Sequence, residues 1–189
     1  MRSAAVAMAR DDERAGMVAR LESNGYVRSA RVRDAMLKVE RHLFLPEDVS
    51  QDAYRDSPLP IGHGQTISAP HMVAMMAELL APQPGQKILE VGSGTGYHAA
   101  VMAELVGADG LVATIERVRE LAGACRANLA RAGYPGVLVI EGDGALGYPE
   151  RAPYDCILAA CAARKIPDAL LEQLADGGRL AITVGGGHY

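Results

Sequence analysis

The chain has 189 residues, 49% hydrophobic and 22% charged, with a formal net charge of −4, the proportions of a folded globular chain and not of a disordered or membrane-embedded one. No apolar run approaches the ~20 residues that cross a bilayer, and the patch in MRSAAVAMAR is too brief for a secretory signal, so a cytoplasmic protein with no membrane partner is expected. Cys125, Cys156 and Cys161 form no Cys-x-x-Cys pair and the five histidines are scattered, which argues against a disulfide framework and against a bound metal.

Asp11 to Val39 reads as helical. Met17, Val18 and Leu21 make one apolar cluster and Val32, Met36, Leu37 and Val39 a second, with Asn24-Gly25 breaking them. The Arg and Lys residues of this segment are spread along it rather than clustered, so no nucleic-acid partner is expected. Arg41 to Gly64 carries three prolines and little periodicity, and is expected to be an extended loop. Ser68 is placed to cap a following helix, with Pro70 in its first turn. Met72, Met75, Met76, Leu79 and Leu80 then follow at helical spacing and are expected to be core.

After Pro84-Gly85 strands and helices alternate. KILEV, LVATIE, VLVI, DCILA and RLAITV read as strands; Tyr97 to Leu105, Arg117 to Ala132 and ALLEQLA read as helices. Such alternation predicts an α/β fold: a mostly parallel, twisted sheet with helices on both faces, behind an N-terminal helical extension. Ligands of these sheets bind beyond the carboxyl ends of the strands.

Three strand ends carry small and acidic residues. The first leads into Glu90-Val91-Gly92-Ser93-Gly94-Thr95-Gly96, where glycines let a ligand approach the backbone. The third glycine comes one residue too early for a dinucleotide fingerprint. The second strand ends at Glu116, a carboxylate suited to ribose hydroxyls, and the third leads to Asp143-Gly144, where Asp143 can bond an adenine amino group. A nicotinamide cofactor would also accept Glu116, so a dehydrogenase is weakened and not eliminated. The acidic-x-Gly-x-Gly-x-Gly order resembles motif I of Rossmann-like methyltransferases that bind S-adenosylmethionine, a cofactor with a cationic amino-acid end and no phosphate.

A second, more specific resemblance joins this motif to Asp56-Ser57-Pro58-Leu59-Pro60-Ile61-Gly62-His63-Gly64-Gln65-Thr66-Ile67-Ser68. Together with Arg41-His42-Leu43-Phe44-Leu45-Pro46, Gly142-Asp143-Gly144, Ala152-Pro153-Tyr154-Asp155 and Gly177-Gly178-Arg179-Leu180, it resembles the protein-L-isoaspartate O-methyltransferases, from about Val39 to Gly185. The resemblance implies a repair enzyme that methylates the α-carboxylate of L-isoaspartyl residues in damaged proteins and peptides. It implies Ser68, with Thr66, as the catalytic pair. Cofactor contacts are implied at Gln65, Thr66, His71, Glu90, Gly92, Ser93, Gly94, Gly96, Glu116, Asp143 and Gly144. One domain is expected, with residues 1–64 as N-terminal helices and substrate-side loop and 65–189 as the cofactor-binding core, working as a monomer.

The substrate carboxylate is ionised at neutral pH, so the chemistry needs no general base and a flat pH–rate profile follows. Two departures from the family pattern stand out. Arg164 occupies a position where proline is usual, and Cys161 before it reads as an inert packing residue. The chain also stops at Gly185-Gly186-Gly187-His188-Tyr189, where relatives continue with further strands, so its short C-terminus is expected to leave an apolar sheet edge exposed. The alternatives are a methyltransferase of the same fold with another substrate, or a cofactor-binding module made inactive by that short end.

Overall fold

The computed structural model describes residues 4–185; the terminal residues 186–189 lie outside it. The expected helical start is two helices, α1 (Ala4–Ser23) and α2 (Ala30–Lys38). They are separated at Gly25, which takes φ +76°, a conformation that favours glycine. Ser29 caps α2, accepting from the Val32 N–H at 3.2 Å. The same serine ties this end to the rest of the protein, because Glu78 Oε1 accepts from its N–H and its hydroxyl.

The stretch expected to be a loop is more ordered than its prolines suggest. Two short 3-10 turns, Arg41–Phe44 and Ser50–Asp52, lead into a hairpin of β1 (Leu59–Gly62) and β2 (Gln65–Ile67). Its two-residue turn is His63-Gly64, both with positive φ, +53° and +67°, as the twist of a tight hairpin demands. Helix α3 (Pro70–Leu80) follows. Its cap position is Ala69, which has no side-chain hydrogen bond to give, so the expected Ser68 cap is not formed.

The main sheet has five strands, β3 (Lys87–Val91), β4 (Leu111–Glu116), β5 (Leu138–Glu141), β6 (Tyr154–Ala163) and β7 (Leu174–Val184). Their order is β5-β4-β3-β6-β7, every pairing parallel. Parallel strands are covered on both faces, which is why KILEV and LVATIE are nearly continuous apolar runs. Ile88 packs with helices α3, α4 (Tyr97–Val106) and α5 (Arg119–Arg131), backed by α1 and α2. Leu89, Val91, Ala113 and Ile115 face the opposite way, against Tyr154 and Leu170 of the short helix α6 (Asp168–Glu172). Each fully buried Leu, Ile or Met in these layers contributes roughly 1.5–3 kcal/mol.

Helix α5 starts at Arg119, two residues later than the periodicity predicts, because the Val118 N–H is taken by the Glu116 carboxylate at 3.0 Å. The Met-rich helix is only partly core. Met76 and Leu80 are buried, but Met75 is 38% and Leu79 63% exposed, and with Leu180 and Ile182 they line an open apolar groove. Beside it, β7 pairs on one side only among the described residues. Among the described residues no helix is long and apolar enough to cross a membrane.

Candidate active site

The carboxyl ends of β3, β4 and β6 open on a cleft roofed by the hairpin. Its inner part is a cavity of about 80 Å³ whose lining includes Gln65, Thr66, Ser68, Glu90, Gly92, Ser93, Gly94 and Glu116, with Ile61, His98, Ala160 and Cys161 also in the wall. It adjoins a larger space of about 300 Å³ that shares Gln65, Gly92, Glu116 and Cys161 and reaches Asp143 and Gly144. Together they match the scale of a small-molecule site.

Ten of the twelve anticipated positions therefore meet in one cleft. Gly96 does not line it. Its φ of +97° starts α4, and a Cβ there would meet Cys125 Sγ at 2.9 Å, so this glycine serves helix packing behind the cleft. His71 also stands apart from it: Asp56 Oδ1 accepts from its backbone N–H and lies against its Nδ1, both at 2.9 Å, and its ring leans on Tyr26. An exposed acid fifteen residues upstream leaves no periodic signal of its partner, so the pairing of Asp56 with His71 is not visible in the sequence. Cys161 corrects its expected packing role, for it is exposed at the end of β6 and borders both spaces. Arg164 is exposed beyond it.

The loop geometry comes from Glu116. Its Oε2 accepts from the Gly94 N–H at 2.9 Å while Oε1 accepts from Val118, which fastens the glycine loop of β3 to the end of β4. Gly94 takes φ +51° and a Cβ on it would approach Ile61 Cδ1 to 3.1 Å, so the hairpin presses directly on this loop. Asp143 Oδ1 accepts from the Ala145 N–H, holding the short turn at Gly144–Leu146 against the outer space. The Ser68 hydroxyl makes no hydrogen bond within the described protein and stands at the inner cavity, one residue ahead of α3.

Beneath the cleft lies a polar pair. Glu90 is fully buried, and burial pushes its carboxyl up to about 8 against the opposing hydrogen bond from Thr114 Oγ1. His98 on α4 is pushed down to about 4 by burial alone. These shifts have opposite consequences for stability. Glu90 stabilises fully below its ordinary 4.5, and that contribution is lost as pH rises through 8. His98 stabilises above its ordinary 6.5, and its contribution is lost as pH falls toward 4. The two slopes oppose each other between 4.5 and 6.5, leaving only that of Glu90 above. Chemical denaturation should show near-constant stability from pH 4.5 to 6.5, then a decline of up to about 2 kcal/mol by pH 8. Glu90→Gln should remove the decline; a decline that persisted in that variant would place its source elsewhere.

Comparison with known proteins bears directly on this cleft. The sequence profile described as protein-L-isoaspartate(D-aspartate) O-methyltransferase matches residues 12–189. The chain belongs to that family. A protein-L-isoaspartate O-methyltransferase of Methanopyrus kandleri is 59% identical over 187 residues, 96% of this chain and 83% of the relative. Among solved structures, a Plasmodium falciparum family member in complex with S-adenosyl-L-homocysteine superposes with a TM-score of 0.83 at 27% identity, covering 93% of this chain and 85% of that one. Another protein-L-isoaspartate O-methyltransferase gives 0.82 at 33% identity, covering 88% of this chain and 54% of its own longer one. Membership in the family and the α/β methyltransferase fold thus agree with the order of the strands and the place of the cleft.

Proposed function

We propose that the cleft binds S-adenosylmethionine and that the chain transfers its methyl group to the α-carboxylate of L-isoaspartyl residues in damaged proteins. The observation that carries this reading is a serine hydroxyl and two acids around one cavity: Ser68, Glu90 and Glu116 all line its inner part. Glu90 Oε1 and Ser93 Oγ are buried without hydrogen-bond partners among the described residues. A ligand with a cationic amino-acid end and a ribose suits such a site, since it brings a positive charge and donors to acidic groups. A pyrophosphate would bring the wrong sign.

Glu116 is placed for the ribose, Asp143 and Gly144 for the adenine end, and Gln65 with the glycine loop for the amino-acid end. Bound there, S-adenosylmethionine supplies a methyl group made electrophilic by its sulfonium. The protein's task is then to hold an ionised carboxylate in line and strip it of water, which is catalysis by orientation. The Ser68 and Thr66 hydroxyls donate to that carboxylate without taking its proton. The resulting ester is the species that collapses to a succinimide, from which normal aspartate can re-form.

Residues 1–64 would serve the substrate side and 65–189 the cofactor within one domain, a reading supported by a core that runs from Met17 through Leu158. Free cysteines favour a cytoplasmic protein, and a monomer with isoaspartyl proteins and peptides as its partners is the simplest assembly. The deciding experiment is transfer of labelled methyl from S-adenosylmethionine to an L-isoaspartyl peptide, with the L-aspartyl peptide as control. Base-labile label on the first peptide alone is expected. Ser68→Ala should cut turnover about tenfold to a hundredfold, roughly one lost hydrogen bond to a charged group, while S-adenosylhomocysteine affinity stays within about twofold. Wild-type turnover in that variant would remove Ser68 from substrate binding.

A further inference from the structure

Glu90 sits one residue before the end of β3 and is 0% exposed. Thr114 Oγ1 on the neighbouring strand donates to its Oε2 at 2.5 Å, while Oε1 has no hydrogen-bond partner. His98 Nδ1 of α4 is 3.8 Å from that oxygen, too far for a hydrogen bond, and neither nitrogen of the ring has a partner. The titratable groups around the pair are Glu116 at the end of β4, whose charge opposes a second anion, and the buried thiol of Cys125 on α5. Among the described residues, the groups acting on Glu90 include no cation. An ionised Glu90 in the empty cleft would thus be a buried anion with one hydrogen bond and a second carboxylate nearby, an arrangement that proteins avoid by keeping the proton.

The inner cavity therefore has an unbalanced acid beside the glycine loop, to which the reading above assigns the amino-acid end of the cofactor. We propose that Glu90 takes this end of the cofactor by exchange: the empty site holds the neutral carboxylic acid, the loaded site holds the carboxylate beside the cation, and one proton leaves to solvent. The only covalent change is loss of the Glu90 O–H proton, which passes to the buffer; the new interaction is an ion pair. The inference rests on the cofactor reading above and adds to it a charge state and a linkage. Binding becomes tighter as pH rises toward that of the free acid's titration, by up to tenfold per pH unit. The methyl-transfer step keeps its flat profile, because the substrate carboxylate is ionised throughout.

The linkage is measured by isothermal calorimetry of S-adenosylhomocysteine at pH 7 in phosphate and in Tris, whose ionisation enthalpies differ. This product retains the ammonium and lacks the sulfonium, so it isolates the group in question. With Glu90 titrating at about 8, close to one proton should be released per ligand bound. Between pH 6 and 7.5 the affinity should improve about thirtyfold, from the tenfold-per-unit slope. Glu90→Gln, which copies the shape of the neutral acid, should bind with no proton release and less than about twofold change over the same range. 5′-Methylthioadenosine, the same nucleoside without the amino-acid end, should release no proton from the wild type.

Binding of S-adenosylhomocysteine with zero net release would mean that the proton stays inside, on His98, or was never there, and either overturns the proposal. Equal release by the Gln variant would overturn it as well. No binding of S-adenosylhomocysteine in any buffer would instead defeat the cofactor reading, and this inference with it.

Discussion

Glu116→Ala should weaken S-adenosylhomocysteine binding at least a hundredfold. The carboxylate is buried at 7% exposure and does two jobs at once. Its oxygens accept from Gly94 and Val118 at 2.9 and 3.0 Å, and they border both parts of the cleft. Truncation strands two backbone N–H groups, each costing about 1–3 kcal/mol where water cannot reach, and frees the glycine loop to move. Those two costs fall on the free and the bound protein alike and lower stability, whereas the lost ribose acceptor falls on the bound state. At about 1.5–3 kcal/mol for each hydroxyl bonded to a charged group, two hydroxyls make a binding deficit of roughly 3 kcal/mol or more, at least about a hundredfold in affinity. Equilibrium dialysis of wild type and variant gives the comparison directly. A loss below fivefold would mean that Glu116 neither holds the loop nor meets the ligand.

The two end glycines of motif I should respond to substitution to different degrees. Gly92 and Gly96 share a left-handed backbone, φ +90° and +97°. At Gly92 a Cβ would meet nothing closer than Cys161 Cβ at 3.8 Å, whereas at Gly96 it would press on Cys125 Sγ at 2.9 Å and Leu129 Cγ at 3.1 Å. Gly92→Ala should cost about 1–2 kcal/mol of backbone strain and show itself in ligand affinity. Gly96→Val adds a collision with α5 and a β-branched side chain in the left-handed region, so a loss of more than about 3 kcal/mol is expected. Urea denaturation of the two variants distinguishes them. Equal stability would mean that α5 yields at Leu129, and that the packing role given to Gly96 is wrong.

Much of this was legible in the chain. Strands buried on both faces are visible as apolar runs, and the small and acidic residues after them mark the ligand end of a parallel sheet, so Glu90, Glu116 and Asp143 could be found before any coordinates. The hairpin was not legible, because Pro60 and two glycines hide a strand pair of four and three residues. The only cue was a residue before glycine, His63-Gly64, in the place usually held by Asn-Gly. Ser68 was assigned two roles, and the structure removes one: with Ala69 at the cap, the hydroxyl is left over. His71, a cofactor contact implied by the resemblance, stands away from the cleft, since the first turn of α3 points its ring toward Tyr26 and Asp56. The packing role expected of Cys161 fails because β6 runs on past the apolar DCILA to Ala163 and carries the thiol to the cleft.

The strand order also sets when the pocket can exist during synthesis. β3 supplies the glycine loop, yet one of its two neighbours is β6, and the bond from Lys87 N to Asp155 Oδ2 that joins them spans 68 positions. Ala160 and Cys161, which wall the inner cavity, come later still. On a ribosome, the hairpin, motif I and Glu116 all emerge while that wall is inside the exit tunnel or not yet made. The nascent chain therefore passes through a stage with a cofactor loop and no closed cofactor site, and non-local pairing of this kind is slow to form. Cofactor added to translating ribosomes should protect chains from proteolysis only once β6 has cleared the tunnel.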